Sequence, residues 1–295
     1  MKKKLFEGVG TALITPFTDG RVDYKALRRL TEYQIRQGTD ALVVCGTTGE
    51  SPTLSALEKL RCIETVADAA DGRIPVIAGT GTNDTDCSAR LTRVACREGA
   101  DGVLAVTPYY NRPTAEGLYR HFLTIAEAGG KPTILYNIPA RTGCDIPYEV
   151  YDLLADHELI VGVKEASGNL SKAEDLILKY RNRLAVYSGN DDLTLPILAI
   201  GGQGVISVVS NLLPTEMHAV CQLWNEGRYE ESRRQFQELL PLIRALFTET
   251  NPIPVKAAMA YLGFRSPELR LPLCEAKPET VLRLVSCLKP LLGKE

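Results

Sequence analysis

Leu159-Ile-Val-Gly-Val-Lys-Glu165 is an apolar run rich in β-branched residues that closes on an amine and a carboxylate. It is too short for a helix and reads as a buried strand. Similar runs recur on either side of it. Strands are predicted over 9–14, 41–45, 75–78, 102–106, 133–136, 160–164, 185–188 and 204–208. Amphipathic helical segments lie between them, over 24–37, 56–70, 85–98, 115–128, 148–155, 171–180 and 193–200. Asp23, Ser55, Asp84 and Thr114 stand where N-caps belong, and Ser55 with Glu58 forms a capping-box pattern. Gly38, Gly72 and Gly99 stand where helices stop. Alternating strands and helices imply parallel strands joined by right-handed crossovers. Eight such units over about 210 residues favour a closed (β/α)8 TIM barrel, an α/β fold that typically needs about 250 residues. An open doubly wound sheet is the alternative. Beyond residue 208 only helical periodicity remains, over 216–226, 230–248, 254–262 and 278–292. The expected organisation is a catalytic barrel over 1–226 and a small all-helical C-terminal domain over 227–295.

Composition narrows the function. The 295 residues are 45% hydrophobic, enough for a large core. With 34 basic against 36 acidic residues and no long basic run, neither a nucleic acid nor an anionic membrane is an expected partner. No apolar stretch reaches the ~20 residues of a membrane span. Met1-Lys-Lys-Lys4 has no hydrophobic segment behind it and does not read as a secretory signal. The eight cysteines are scattered without a C-x-x-C pair, as in a reducing compartment, and neither a disulfide frame nor a metal site is expected. His121, His157 and His218 are isolated and receive no role. A cytoplasmic location follows from these features.

In a barrel of this kind, reactive side chains project from the carboxyl ends of the strands. Strand two ends in Gly46-Thr-Thr-Gly-Glu50 and strand four runs into Thr107-Pro-Tyr-Tyr-Asn111. Strand five ends in Tyr136-Asn-Ile-Pro-Ala-Arg-Thr-Gly143, strand six at Lys164, strand seven at Tyr187-Ser-Gly189 and strand eight at Ile206-Ser207. A lysine stripped of water at a strand end can act as a nucleophile and form a Schiff base. A lysine snorkelling into solvent is the plainer reading. Thr47 and Thr48 offer hydroxyls beside glycines that let backbone N–H groups approach a small carboxylate, and a helix follows within a few residues. Arg141 could grip a second carboxylate with two parallel hydrogen bonds, or form a surface salt bridge. Tyr136 and Tyr110 could relay protons, or be core tyrosines with satisfied hydroxyls. Gly79-Thr-Gly81 lacks the third glycine of a dinucleotide loop.

These motifs, with Val163-Lys-Glu-Ala-Ser-Gly168 and Asn251-Pro-Ile-Pro-Val-Lys256, make the chain resemble the dihydrodipicolinate synthase family over essentially its whole length. That family is one of the pyruvate-dependent class I aldolases, which include N-acetylneuraminate lyase. The resemblance implies a lyase of lysine and diaminopimelate biosynthesis that condenses pyruvate with L-aspartate 4-semialdehyde. Lys164 would form the imine with pyruvate, with no other cofactor and no metal. Tyr136 would be the proton donor and acceptor, with Thr48 and Tyr110 completing a hydroxyl relay. Thr47 and Thr48 would hold the pyruvate carboxylate and Arg141 that of the second substrate. Gly189 and Ile206 would contribute backbone carbonyls. The implied assembly is a homotetramer, a dimer of dimers, with Tyr110 crossing the tight dimer interface.

The resemblance also implies weak or absent feedback by lysine. Ala56, Lys59 and Cys87 stand where lysine-inhibited relatives carry two histidines and a glutamate, in a cleft matched by Ser51, Asn83 and Tyr109. Three other readings stand beside the synthase. A sister aldolase for a sugar-derived 2-oxo acid is disfavoured by Arg141 and the threonine pair. A pyridoxal-phosphate barrel using the same lysine would be yellow. A non-catalytic binding protein would have no need of the full reactive set.

Overall fold

The computed structural model describes residues 4–264 and 267–293. All eight expected strands form, and they run parallel around a closed barrel. In chain order they are β1 Gly8–Ala12, β2 Ala41–Val44, β3 Val76–Gly79, β4 Gly102–Val106, β5 Thr133–Asn137, β6 Ile160–Glu165, β7 Ala185–Ser188 and β8 Gly204–Ser207. Each pairs with its neighbours in sequence, and β1 closes the ring against both β2 and β8. Their apolar runs are continuous because helices cover the outer face while side chains fill the interior.

The two-residue side-chain period sorts each strand. On β5, Ile134 and Tyr136 join the interior cluster, with Ile77, Leu104 and Ile206 from other strands. Leu135 between them packs outward against helical residues such as Phe122 and Tyr151. The amino end of the barrel is plugged. Phe6 stacks on Tyr187 with ring centroids 4.4 Å apart, and the Tyr187 hydroxyl donates to the Phe6 carbonyl. The reactive residues were expected at the other, carboxyl end.

The helices are α1 Tyr24–Arg36, α2 Ala56–Ala70, α3 Thr85–Arg97, α4 Ala115–Gly129, α5 Pro139–Thr142, α6 Tyr148–Leu154, α7 Leu170–Tyr180, α8 Thr194–Ala199, α9 Pro214–Asn225, α10 Tyr229–Ala245, α11 Ile253–Tyr261 and α12 Pro278–Leu292. All four expected N-caps form. Asp23, Ser55, Asp84 and Thr114 accept from the N3 amides of α1 to α4, and Ser55 and Glu58 complete the reciprocal box. A hairpin pairing Phe17–Thr18 with Arg21–Val22 lies between β1 and α1 and was not expected. The strand around Lys164 runs one residue further than expected, to Glu165.

Helices α10 and α12 do not build a separate core. Leu239, Leu242 and Ile243 of α10 and Leu284 and Leu288 of α12 belong to one cluster with Val9, Leu42 and Val44 of the barrel. Among the described residues no helix is long and apolar enough to cross a membrane.

Candidate active site

Lys164 does not snorkel. It is 5% exposed, and its Nζ lies 4.3 Å from the centroid of the Tyr136 ring. The contact follows from register, since Tyr136 on β5 is the direct partner of Lys164 on β6. A cation over a ring face is attracted by the ring quadrupole, the more so where water is excluded. The strand end is fixed from behind. Glu165 accepts from the Asn137 side chain and from the Ser167 amide. Gly189 must be glycine here. A Cβ at that position would lie 2.5 Å from Ala166 Cβ and 3.1 Å from Lys164 Cε. The backbone just after β7 thus runs directly against the lysine stem, and Ile206 is fully buried in the interior cluster.

The segment Gly46–Glu50 turns tightly rather than leading straight into a helix. The amides of Gly49 and Glu50 donate to the carbonyls of Gly46 and Thr47, and a 3-10 turn over Ser51–Thr53 follows. The N-terminus of α2 is capped reciprocally by Ser55 and Glu58. Thr48 is buried, and its Oγ1 accepts from Asn251 Nδ2 at 3.0 Å. Glu50 holds a left-handed backbone, with φ of 54°. Its carboxylate is ion-paired with Lys256 and accepts from the Arg270 amide. The threonine loop is therefore tied to the C-terminal helices on both sides of Gly49.

Thr47, Lys59, Tyr109, Tyr136 and Arg141 line one cavity of about 370 Å³. Tyr136 connects it to the lysine. Arg141 sits on α5, a single turn begun by Pro139, and its Nη2 donates to the Asn251 carbonyl at 2.9 Å. It makes no surface salt bridge among the described residues, so its remaining donors can take a carboxylate. Burial lowers the Lys59 ammonium and raises the Tyr109 phenol. A larger cavity of about 610 Å³ lies between α1 and Met259–Phe264. No lysine stands among its lining residues, and chemistry rather than volume assigns the site.

Three groups that the strand-end pattern did not single out also belong here. Asp191 opens a 3-10 turn two residues after Gly189 and is 1% exposed. Its Oδ2 accepts from the amides of Val208 and Val209, each at 3.0 Å. Burial pushes its carboxyl up, while these hydrogen bonds and the nearby Lys164 ammonium oppose the shift. Asn251 touches both Thr48 and Arg141. Lys256 holds Glu50. The motif 251–256 had been quoted from the sequence without roles; its signal was a polar residue and a lysine flanking two prolines.

Tyr110 stands apart from the others. It is 92% exposed and takes a left-handed backbone, with φ of 71°. Cys144 is buried, and burial with the nearby Asp145 raises its thiol, so the thiolate is disfavoured.

The sequence profile of the Dihydrodipicolinate synthetase family matches residues 5–291. A 4-hydroxy-tetrahydrodipicolinate synthase of Syntrophus aciditrophicus is 51% identical over 269 residues, which are 91% of this chain and 92% of the relative. A crystal structure of a dihydrodipicolinate synthase from Thermotoga maritima superposes with a TM-score of 0.94 at 45% identity, covering 97% of this chain and 99% of that one. The chloride-inhibited dihydrodipicolinate synthase from Acinetobacter baumannii, solved in complex with pyruvate, gives a TM-score of 0.93 at 40% identity, covering 97% of this chain and 98% of that one.

Proposed function

The chain belongs to the dihydrodipicolinate synthetase family, and from that premise we propose how its residues join pyruvate to L-aspartate 4-semialdehyde. The reaction is a Schiff-base condensation that yields 4-hydroxy-tetrahydrodipicolinate, for lysine and diaminopimelate biosynthesis. The Lys164 amine adds to C2 of pyruvate and water leaves, giving an imine. Loss of a methyl proton from C3 gives the enamine, whose C3 attacks the aldehyde carbon of the second substrate. That substrate's own amine then adds to C2, displaces Lys164 and closes the ring.

Each role has a physical basis. The buried setting of Lys164 and its contact with Tyr136 support the imine, since both groups meet where water is scarce. Tyr136 gives and takes the protons of these steps, with the Thr48 hydroxyl as the next member of the relay. Thr47 and Thr48 hold the pyruvate carboxylate. Arg141 binds the carboxylate of the semialdehyde with the guanidinium donors that Asn251 leaves free. Gly189 and Ile206 supply backbone carbonyls near the imine. Asp191, near enough to Lys164 for their charges to interact, balances the positive charge of the iminium. The enzyme needs no cofactor beyond the covalent imine.

The exposed Tyr110 enters the relay of a neighbouring subunit, which makes a dimer the minimal competent unit and a dimer of dimers the full assembly. The protein works in the cytoplasm, where both substrates are made. Lysine inhibits weakly or not at all, because Lys59 brings a like charge to the cleft and Cys87 supplies no carboxylate.

The observation that carries this reading is the 4.3 Å contact between the Lys164 amine and the Tyr136 ring. Borohydride reduction in the presence of pyruvate, followed by intact-mass and peptide analysis, tests it. The expected product is one pyruvate-derived adduct per chain on Lys164, absent in Lys164→Ala. An unmodified Lys164 under turnover conditions would falsify the imine.

A further inference from the structure

Asn251 lies in the segment before α11, 203 residues from Thr48 in sequence, and is 7% exposed. It makes two contacts, and they serve different parts of the site. Its side-chain Nδ2 donates to Thr48 Oγ1 at 3.0 Å. Its backbone carbonyl accepts from Arg141 Nη2 at 2.9 Å. Its Oδ1 is buried without a partner among the described residues. Five residues on, Lys256 is anchored to Glu50, two residues after Thr48. The segment is thus pinned to the threonine loop at two points, and the amide has little freedom to swing away.

The direction of the first bond matters. A threonine hydroxyl has one hydrogen and two lone pairs, whereas an amide NH2 can only donate. With its oxygen accepting from Asn251, the Thr48 hydroxyl must give its hydrogen to some other acceptor. In the relay, that acceptor is the Tyr136 oxygen at the moment it has released its proton. We propose that Asn251 is a positioning residue that fixes the donor direction of the Thr48 hydroxyl toward Tyr136, while its backbone steadies Arg141. The proposal rests on the roles given above to Thr48 and Tyr136. It explains why a residue outside the barrel is buried at the site with a side-chain amide whose partner is a hydroxyl and not a charge. A carboxylate at the same position would reverse the bond, because it can only accept and would capture the Thr48 hydrogen.

The test uses Asn251→Ala and Asn251→Asp in the full-length enzyme, with thermal unfolding of each. For Asn251→Ala, kcat is expected to fall roughly ten- to a hundredfold, the range of a disturbed proton relay. The KM for each substrate is expected to stay within about threefold, since the backbone carbonyl on Arg141 is retained. Combined with Thr48→Val, the alanine is expected to add no further loss, because both variants remove the same hydroxyl function. For Asn251→Asp, activity is expected to be low at neutral pH and to recover as the pH falls, when the protonated carboxyl can donate again. An unchanged kcat, losses that multiply in the double variant, or an Asp variant with the parental pH profile would each overturn the proposal. If the alanine variant does not fold, the pH profile of the Asp variant decides. Borohydride trapping separates this from the parent reading. No adduct in the unmodified enzyme removes the imine chemistry, whereas a normal adduct with unchanged kcat in Asn251→Ala removes only the role of Asn251.

Discussion

Lys164 and Tyr136 are register partners on adjacent strands, and the lysine Nζ sits 4.3 Å from the centre of the tyrosine ring. The two-residue strand period turns both side chains into the barrel at the end opposite the Phe6 plug. The ring therefore does two things. Its face meets the amine, and in the proposed mechanism its hydroxyl moves the protons.

Tyr136→Phe separates these two functions. The phenylalanine keeps the ring face and removes only the hydroxyl. Pyruvate is expected still to be trapped on Lys164 by borohydride, more slowly than in the parent. Steady-state kcat is expected to fall about a hundredfold or more, as for loss of a positioned acid–base group. A kcat within twofold of the parent would show that the hydroxyl is not the proton carrier.

Glu50 and Lys256 form an ion pair whose side chains are 1% and 0% exposed. Lys256 also donates to the Glu268 carbonyl at 2.7 Å and lies 4.1 Å from the centroid of the Phe17 ring. Burial lowers its ammonium, and Glu50 opposes that shift. Lys256→Met fills similar space but strands a buried carboxylate, so a loss of roughly 3–5 kcal/mol is expected in chemical denaturation. The double variant Glu50→Leu with Lys256→Met is expected to be more stable than Lys256→Met alone. A single variant within about 1 kcal/mol of the parent would show that the pair does not hold the loop.

The barrel was legible because its signals are local and repeated. Each strand is a short β-branched run, and each of α1 to α4 opens on a side-chain cap that the structure contains. Lys164, Tyr136 and Thr47 were placed by the same logic, since they end strands or follow them directly. The hairpin at Phe17–Thr18 and Arg21–Val22 offered no period to read, because two residues per strand cannot alternate. Helix α5, which carries Arg141, has four residues and so no amphipathic repeat, although Pro139 at its start was a usable sign. Asn251, Lys256 and Asp191 owe their importance to partners elsewhere in the chain. Two of those contacts span 203 and 206 residues, distances over which no sequence pattern carries a register.

His121 gives the fold a definite acid sensitivity. It lies on α4, 3% exposed, with Nδ1 2.9 Å from the Thr85 hydroxyl and Nε2 buried without a partner among the described residues. Burial pushes its imidazole down to about 4, with Asp84 opposing. The folded protein therefore keeps the ring neutral below the ordinary value near 6.5, while the unfolded chain takes up a proton there. Stability from this group is fully present above about pH 6.5 and is lost as the pH falls toward 4, by roughly 3 kcal/mol. Other groups act differently across this window. His218 is raised by Asp40, so its contribution is complete below 6.5 and declines only at higher pH. Glu58, held down to about 2 by Arg270, loses its contribution only at more acid pH, below its ordinary value of 4.5. Asp191, raised by burial, works in the opposite sense to His121. The readout is therefore a difference between proteins. Urea unfolding at pH 6.5, 5.5 and 4.5 is expected to show a steeper fall in the parent than in His121→Phe, whatever the absolute stability of the variant. Parallel slopes would mean that the buried imidazole is not what acid attacks first.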